Sequence, residues 1–525
     1  MGNSDIFRLA KPMKKGLLRL IFSRFLIIVL LLFLQVGILF AFFWWLGEFV
    51  PHLQIFLFLF SAAMVIYLFN NSMDSAAKLT WMFLIAIMPI PGAAFLLFTQ
   101  TNLGHRALKR RVEELVSETK DLLDQPEGVR EELENDGSGT DDLCTYLNLS
   151  GCFPLYRNEE VTYFPTGESS FGPMLEELKK AEHFIFLEYF IIEEGFMWSE
   201  VLKILVEKAR AGVDVRVLYD GFCEMATLPM NYRTLLEQQG IKAKVFAPVR
   251  PFVSSHYNYR DHRKILVVDG KVAFNGGVNL ADEYINRKKR FGYWKDSSVM
   301  LRGSAVRSFT LMFLQMWCID EEEKKETSFL PYLEKTGSSP LKTDGYVIPY
   351  SDCPLDAEKV GENVYMDILN RATDYVHIFT PYLILDGEMQ ASLQYAAKRG
   401  VDVKLILPGI PDKKMAYALA KSHYRALLEA GVKIYEFTPG FVHSKVFVSD
   451  DIKAVVGTIN LDYRSLYHHF ECATYLYRCS CIAEIEQDFL NSLQECREVT
   501  LASLPNEKRY YKIMGRLVKF IAPLM

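Results

Sequence analysis

Cysteines are few and are not arranged for a structural role. Nine are spread over 525 residues, none forms a CxxC pair, and Cys479 and Cys481 make only a CxC. Neither a disulfide framework nor a zinc site is indicated. Scattered thiols favour a protein whose bulk faces a reducing compartment.

The chain also lacks a strong excess of charge. Its 59 Lys and Arg residues and 64 Asp and Glu residues leave a net charge of -5, which argues against a dedicated nucleic-acid binder. The small net charge and the aromatic content of 13% exclude disorder over most of the length. At this length we expect two or three domains.

Apolar residues are in excess, with a mean hydropathy of +0.07. The excess lies in the first hundred residues, as three uncharged apolar segments at about 25–46, 54–73 and 79–100. A bilayer core is crossed by about 20 apolar residues in a helix. Residues 1–104 are therefore predicted to form a membrane region with two or three transmembrane helices, and no cleavage site of a signal peptide follows the first segment.

The basic residues predict the orientation of this region. Clusters of Lys and Arg precede the first segment and follow the third, whereas the loops between carry only Lys78. Pro89, Pro91 and Gly92 would break the third segment into a re-entrant or interfacial piece. Two crossings would place every cluster on the cytoplasmic side, so we expect a multi-pass protein of the bacterial cell membrane with a cytoplasmic catalytic part.

The rest of the chain contains an internal duplication. Residues 105–160 are charged and loop-like and are predicted to be a linker. Beyond them, four segments of a first copy recur in the same order in a second copy: 184–192 matches 376–384, 211–221 matches 399–409, 232–246 matches 424–437, and 262–279 matches 443–460. Each copy alternates apolar strands with helices, which predicts an α/β fold with one domain at 161–345, a second at 346–505 and a tail at 506–525.

The last repeated segment carries most of the polar residues. They are His262, Lys264, Asp269 and Asn279 in the first copy and His443, Lys445, Asp450 and Asn460 in the second. Because alternate residues of a strand point to the same face, each His-x-Lys brings an imidazole and an ammonium group to one site. Glycines precede each asparagine, where the backbone can approach a ligand.

These residue types fit displacement at a phosphodiester. Two histidines supply a nucleophile and a general acid, and two lysines supply positive charge for phosphoryl oxygens. The asparagines can donate hydrogen bonds to the same oxygens, and an aspartate can orient an imidazole. No acidic cluster with metal-ligand spacing accompanies the motifs, so we expect no metal and no other cofactor.

The pattern H-x-K-x4-D-x6-G-[G/S/T]-x-N, present twice, resembles the phospholipase D superfamily. Over nearly its whole length the chain is more narrowly similar to the bacterial cardiolipin synthase family, as in NLADEYINRKKRFGYWKDSSV (279–299) and NLDYRSLYHHFE (460–471). The resemblance implies two phospholipase D-like domains related by a pseudo-twofold axis, with both histidines in one site between them. It also implies that one phosphatidylglycerol forms a phosphatidyl-enzyme and that a second one attacks it to give cardiolipin.

The roles of the motif residues follow as a hypothesis. We assign His262 as the nucleophile and His443 as the acid and base, but the near-symmetry leaves the reverse assignment open. The remaining motif residues divide into a group expected to bind the phosphoryl group and a group expected to support the motifs. The first group is Lys264, Lys445, Asn279 and Asn460, and the second is Asp269 and Asp450, each expected to orient one of the two histidines. The histidines, lysines and aspartates of the two motifs are the predicted catalytic residues.

Other residues are of second rank. Glu188, aligned with Thr380 of the second copy, lies in an apolar strand and is either at the edge of the site or in a structural ion pair. The resemblance places Glu471 and Asp296 near the site, and we count Glu188 and Glu471 among the substrate-binding residues. The pair His468-His469 has no further ligand at a suitable spacing, which favours packing histidines.

Two basic surfaces and three aromatic residues complete the candidates. The run 287–290 is either a solvated face or a contact for anionic head groups. The sequence KRYYKIMGRLVKFIAPLM (508–525) predicts an interfacial amphipathic helix. Tyr284, Trp294 and Tyr463 are predicted to pack around the cleft.

The leading hypothesis is a membrane phosphatidyltransferase that acts on phosphatidylglycerol among anionic membrane lipids. A phospholipase D-type hydrolase or another phosphatidyl transferase is the alternative. A nuclease of the same superfamily is disfavoured by the apolar segments and the acidic balance. A non-catalytic scaffold is disfavoured because both motifs are complete, and the oligomeric state stays open.

Overall fold

The computed structural model describes residues 37, 41 and 53–522, except 72, 101–102, 135, 158, 230, 249–258, 320–328, 335–344 and 357. Its strands are β1 Tyr156–Arg157, β2 Glu160–Phe164, β3 Phe184–Tyr189, β4 Asp214–Asp220, β5 Lys242–Phe246, β6 Arg260–Asp261, β7 Lys264–Val268, β8 Val272–Gly276, β9 Tyr293–Lys295, β10 Ser298–Arg302, β11 Tyr346–Asp352, β12 Tyr375–Phe379, β13 Asp402–Pro408, β14 Lys433–Phe437, β15 Gly440–Val442, β16 Val446–Ser449, β17 Lys453–Gly457, β18 His469–Tyr477 and β19 Cys496–Val499.

The helices surround these strands. They are α1 Leu53–Phe69, α2 Ser75–Ile87, α3 Pro89–Gln100, α4 Leu103–Thr119, α5 Thr140–Gly151, α6 Gly167–Lys180, α7 Phe196–Arg210, α8 Phe222–Ala226, α9 Tyr232–Glu237, α10 Val306–Trp317, α11 Leu330–Leu333, α12 Val360–Arg371, α13 Gly387–Lys398, α14 Lys414–Glu429, α15 Tyr463–Tyr467, α16 Cys481–Leu493 and α17 Arg509–Ile521. Short 3-10 turns occur at Lys120–Leu122 and Leu504–Asn506.

Two mixed sheets repeat the same strand order. The first runs β2-β10-β8-β7-β3-β4-β5, and the second contains β11-β18-β17-β16-β12-β13-β14 with β1 and β19 added at its edges. In both, the two pairs at the β5 or β14 end are parallel and the others are antiparallel. The duplication seen in the sequence is therefore a duplication of the α/β fold.

The sheets are buried on both faces, which explains their continuous apolar strands. One core lies between the two sheets and includes residues of β3, β7, β16 and β18 together with helices α10 and α16. The outer face of the first sheet packs against α6 and α7. The outer face of the second packs against α12, α13 and α14. Rigid, buried strands therefore carry both motifs.

The expectation of a linker at residues 105–160 is wrong. This region contains α4, α5 and β1, and β1 pairs with β11 of the second sheet. Leu143 and Leu147, one helical turn apart on α5, are buried in the core of the second domain. The acidic residues stay outside, as where Asp142 pairs with Arg371 at 2.8 Å. The charged composition suggested a linker, but the apolar residues on one face of α5 pack this segment against the second domain.

The N-terminal apolar region is only partly described. The first apolar segment, about 25–46, lies outside the described residues apart from positions 37 and 41. The second corresponds to α1, and the third divides into α2 and α3 at Pro89, close to where a Cβ on Gly92 would meet Leu84 O at 3.0 Å. Within the described parts of the chain, no helix has both the length and the apolar content needed to cross a membrane.

The C-terminal helix α17 joins this region to the second domain. Val518 is buried against Leu419 of α14. On the other side, Thr80 Oγ1 donates a hydrogen bond to the carbonyl oxygen of Phe520 at 2.8 Å, and the rings of Phe83 and Phe520 lie 4.6 Å apart. The tail predicted at 506–525 is thus a helix packed between the N-terminal apolar helices and the catalytic part.

Candidate active site

Two short parallel strand pairs bring the halves together at the motifs. β6 of the first half pairs with the start of β18, and β15 of the second half pairs with β9. The chain continues from these pairs into the two motif histidines: His262 N donates to Phe470 O at 3.0 Å, and His443 N donates to Lys295 O at 2.7 Å. Each histidine is therefore anchored on the opposite half.

Each imidazole is held by a carboxylate from the other half. His262 Nδ1 lies 2.9 Å from both carboxylate oxygens of Glu471, and His443 Nδ1 lies 2.7 Å from Asp296 Oδ2. The two carboxylates occupy equivalent positions in the two halves. In each half, the strand residue two positions after the carboxylate pairs with the first glycine of the motif. This reciprocal exchange is what two similar halves facing each other produce.

In each half, the residue that follows the first motif glycine lies against the carboxylate. A Cβ on Gly277 would lie 2.0 Å from Asp296 Oδ1. At the corresponding position of the second half, Thr458 Oγ1 donates a hydrogen bond to Glu471. The G-[G/S/T] pair is thus explained by the carboxylate that lies against it.

The ionisation of these groups follows from their burial. Burial, only partly opposed by Glu471, lowers the pKa of His262 well below its ordinary value, and burial together with Lys445 lowers that of His443 to about 4. Burial alone would raise the pKa of Glu471 and of Asp296, but the adjacent histidine together with the other cations and hydrogen-bond donors around each carboxylate lowers it in both cases. Each carboxylate is therefore ionised and accepts from Nδ1–H, which leaves Nε2 of each neutral imidazole free as a nucleophile or base.

The two lysines lie beside their histidines. Lys264 Nζ and Lys445 Nζ each donate to the carbonyl oxygen of the histidine two residues earlier. Burial lowers the pKa of Lys264 to about 8 and that of Lys445 to about 7. Lys264 also lowers the pKa of His443 and of Lys445 through its charge, which shows that the two motifs share one site.

The motif aspartates do not orient the histidines, which corrects the expectation for Asp269 and Asp450. Asp269 accepts three backbone N–H groups at the start of β3, from residues 182–184, at 2.7–2.8 Å. Asp450 accepts the N–H groups of residues 373–375 at 2.8–3.0 Å. Both stand in the left-handed region, with φ of 52° and 54°, in the turn at the far end of the motif strand. They fasten the two central strands of each sheet.

The motif asparagines differ from one another. Asn279 accepts from Ile191 N at 2.9 Å and donates to the Tyr284 hydroxyl at 2.8 Å, so both of its polar groups are used within the protein. Asn460 is also buried, yet its Oδ1 accepts no hydrogen bond in the described part of the chain. Because both polar groups of Asn279 are engaged, the predicted phosphoryl-binding role fits Asn460 better than Asn279, which positions the loop after β3.

Glu188 lies on β3, which pairs with the motif strand β7, and its side chain faces away from that of Lys264. Its Oε1 is 3.8 Å from Arg263 Nη1, and the residues on either side of His262 point away from the site. Burial, and then the neighbouring Asp261, raise the pKa of Glu188 well above its ordinary value, while burial raises that of Asp261 to about 6. The structure therefore favours a buried structural carboxyl beside Arg263 and Asp261 over substrate binding by Glu188.

Aromatic side chains enclose His443. The rings of Tyr284 and Trp294 lie 5.4 Å and 5.3 Å from its imidazole, whereas Tyr463 packs instead against Tyr467 at 5.5 Å. The packing predicted from the sequence is thus found for the first two and not for the third. These walls exclude water from one side of the site and favour the neutral imidazole.

The basic run 287–290 is largely paired with its own chain. Lys288 contacts Glu193 at 2.6 Å, Arg290 contacts Glu283 at 3.2 Å, and the Arg287 guanidinium lies 3.7 Å from the centre of the Phe196 ring. Of the two interpretations, the structure favours a self-neutralised surface over a free patch for anionic head groups.

His469 was not recognised as a site residue from the sequence. Its ring centre lies 5.3 Å from that of His262, and its Nδ1 is 3.7 Å from Glu471 Oε1. These three residues each bring one ligand atom within 4.8 Å of the other two. The sequence did contain a signal for His469, because it stands two residues before Glu471 on one strand, where alternate side chains share a face.

Comparison with known proteins identifies the family. The family model described as "Cardiolipin synthase, PLD-like domain" matches residues 174–317 and 365–493. A cardiolipin synthase of Halalkalibacterium halodurans is 31% identical over 96% of this chain and 100% of that protein. An uncharacterized protein of Streptococcus mutans is 58% identical over 88% of this chain and 99% of that protein.

A solved structure shares the fold. The crystal structure of phosphatidylserine synthase from Haemophilus influenzae superposes with a TM-score of 0.57 at 15% identity, over 73% of this chain and 97% of that one. The duplicated sheets and the paired histidines agree with the matched family, and the chain belongs to the cardiolipin synthase family of phospholipase D-like enzymes and is a transferase.

Proposed function

We propose that the chain is a membrane phosphatidyltransferase that joins two phosphatidylglycerol molecules into cardiolipin and releases glycerol, through a phosphohistidine intermediate. The observation that supports this most is the pair of buried histidines, each with Nδ1 held by a carboxylate of the opposite half. Two equivalent imidazoles suit a reaction in which one is the nucleophile and the other moves the proton.

In the first step, Nε2 of His262 attacks the phosphorus of one phosphatidylglycerol. The bond from phosphorus to the head-group oxygen breaks, and the departing glycerol takes a proton from Nε2 of His443. The anionic phosphodiester, once bound, and Asp296 together favour protonation of His443 before that transfer, and Glu471 stabilises the positive charge that develops on His262.

In the second step, neutral His443 accepts the proton of the terminal hydroxyl of a second phosphatidylglycerol. The resulting alkoxide oxygen bonds to phosphorus, the bond between phosphorus and His262 breaks, and cardiolipin is released. Water in place of the second lipid would give phosphatidic acid, which is the hydrolase alternative.

The lysines provide the electrostatic part of the mechanism. Two buried ammonium groups make a site for an anion, since burial disfavours their charge until an anion arrives. A phosphodiester would restore the charge of Lys264 and Lys445 and be held by it. The same charges would stabilise the five-coordinate transition state.

Membrane placement rests on an apolar surface made by the N-terminal helices and α17. Large apolar side chains are exposed on these helices, among them Phe58, Leu59, Ile66, Phe69, Leu79, Ile87, Ile513 and Leu517. Such a surface fits lipid tails, with the cationic face of α17 at the head groups. We propose a multi-pass membrane protein with two crossings and a cytoplasmic catalytic part, and a reporter fused to the C-terminus that gives a periplasmic signal would contradict it.

Product analysis separates the alternatives. The purified chain is supplied with vesicles of phosphatidylglycerol as the sole lipid, and cardiolipin and glycerol should appear in equal amounts. Phosphatidic acid as the main product would identify a hydrolase, and phosphatidylserine formed on addition of serine and a nucleotide-activated lipid would identify another phosphatidyl transferase.

Trapping the intermediate assigns the histidines. With phosphatidylglycerol labelled at phosphorus, His443→Ala should take up the label slowly, because the first step lacks its acid, and should retain it, because the second step lacks its base. His262→Ala should take up none. The reverse pattern would exchange the two roles without changing the proposed reaction.

A further inference from the structure

The active site contains a third histidine that the mechanism does not use. His469 is 8% exposed, and neither of its ring nitrogens makes a hydrogen bond within the described residues. The 3.7 Å between its Nδ1 and Glu471 Oε1 is too long for a hydrogen bond. A buried imidazole without a hydrogen-bond partner is costly, which points to a ligand for it.

The other half has no such ligand at the matching place. Glu471 corresponds to Asp296, so the residue two positions earlier, His469, corresponds to Trp294. The ring distances agree, because Trp294 also lies 5.3 Å from its neighbouring histidine, His443. An indole N–H only donates hydrogen bonds, whereas an imidazole can bind a metal. The first half therefore shows that an aromatic ring that cannot bind a metal packs at this position.

We propose that His262, His469 and Glu471 form a binding site for Zn²⁺ or a similar divalent transition metal. Two imidazoles and one carboxylate are a ligand set that zinc accepts, with a fourth position left for water. Bonds of about 2.0–2.1 Å put tetrahedral ligand atoms about 3.3 Å apart. The present atoms lie within 4.8 Å of one another, so small side-chain rotations close the site.

Metal in this site would compete with the reaction. A ring nitrogen of His262 that binds zinc cannot attack phosphorus, and Glu471 would exchange its hydrogen bond to that ring for a metal bond. This consequence, reversible inhibition by zinc, rests on the proposed function. The binding site itself does not.

Direct binding tests the site without any activity. The full chain in detergent is stripped with a chelator and dialysed against radioactive Zn²⁺ with a weak competing chelator. We expect one tightly bound Zn²⁺ per chain, and His469→Gln should weaken it roughly a hundredfold or more, since even outer contacts of a metal site contribute 10–100-fold. His468→Gln is the matched control, because His468 is the adjacent residue and lies outside the cluster; it should bind as the parent does.

Two further measurements keep the result interpretable. His469→Trp copies Trp294 of the first half and preserves ring packing, so loss of zinc in this variant, with an unchanged circular dichroism spectrum, reports the ligand and not misfolding. Co²⁺ in the site should show tetrahedral d–d absorption without a thiolate charge-transfer band. Equal zinc affinity in the parent and both His469 variants, or a thiolate band from any of the nine cysteines, would overturn the proposal.

Measurements of phosphatidyl transfer with and without zinc distinguish this inference from the proposed function. Zinc should inhibit phosphatidyl transfer by the parent and by His468→Gln, and a chelator should restore it. Zinc bound through His469 in a chain that makes no cardiolipin would refute the function and keep the site. Cardiolipin formation with no His469-dependent zinc binding would refute the site and keep the function.

Discussion

The two motif aspartates offer a matched pair for testing what they do. Asp269 and Asp450 each accept three backbone N–H groups from the start of the neighbouring strand and have nearly the same backbone conformation. They differ in burial: Asp269 is 3% exposed, whereas two of the three hydrogen bonds of Asp450 lie at the surface. Truncation to alanine therefore removes the same bonds in two different environments.

The expected loss follows from the donors left without a partner. A buried N–H group without an acceptor costs about 1–3 kcal/mol and an exposed one much less. Asp269→Ala leaves one fully buried and two partly buried donors and should lower the free energy of unfolding by about 4 kcal/mol. Asp450→Ala should lower it by about 2 kcal/mol. The strain of alanine at positive φ is common to both and cancels in the comparison.

Denaturant titration in detergent, followed by intrinsic fluorescence, measures the shift of the midpoint. Phosphatidyl transfer, normalised to the folded fraction, should change little in either variant, because neither carboxylate contacts a catalytic histidine. Equal losses of stability in the two variants would refute the argument from burial. A folded Asp269→Ala protein with turnover reduced a hundredfold would refute the structural role itself.

Three more outcomes follow from the site. Glu471→Gln and Asp296→Asn should each lower kcat by about 10²–10⁴-fold with little change in KM, measured by steady-state transfer kinetics, because each loses the charge that stabilises an imidazolium; an effect confined to KM would contradict this. Gly277→Ala should reduce kcat similarly, since its Cβ would lie 2.0 Å from the Asp296 carboxylate, whereas Gly387→Ala, with no atom within 4 Å of its Cβ, should be active; equal activity would refute the steric argument. Burial lowers the pKa of His443 from 6.5 to about 4, so the unfolded chain binds more protons than the folded chain between these pH values. The denaturation midpoint should therefore fall as the pH is lowered from 6.5 to 4, and it should fall less steeply in His443→Gln. Parallel pH profiles of the two proteins would contradict the assigned burial.

Local chemistry explains what could be predicted from the sequence. The period of two along a strand is enough to place the imidazole and ammonium of each H-x-K on one face, and both pairs do meet at one site. The partners of the imidazoles could not be predicted, because Glu471 is 209 residues from His262 and Asp296 is 147 residues from His443. Because these partners are so distant in sequence, the nearby motif aspartates were predicted to orient the histidines instead.

The sequence by itself determined the duplication, the buried strands, the residue types of the motifs and the concentration of apolar residues in the first hundred positions. All of these depend on short-range periodicity and composition, which a chain carries without folding. Only the tertiary structure decided which carboxylate serves which histidine, that Asp269 and Asp450 fasten strands, and that His469 stands beside His262. These depend on the register between strands of opposite halves, where a shift of one residue would turn every side chain to the other face.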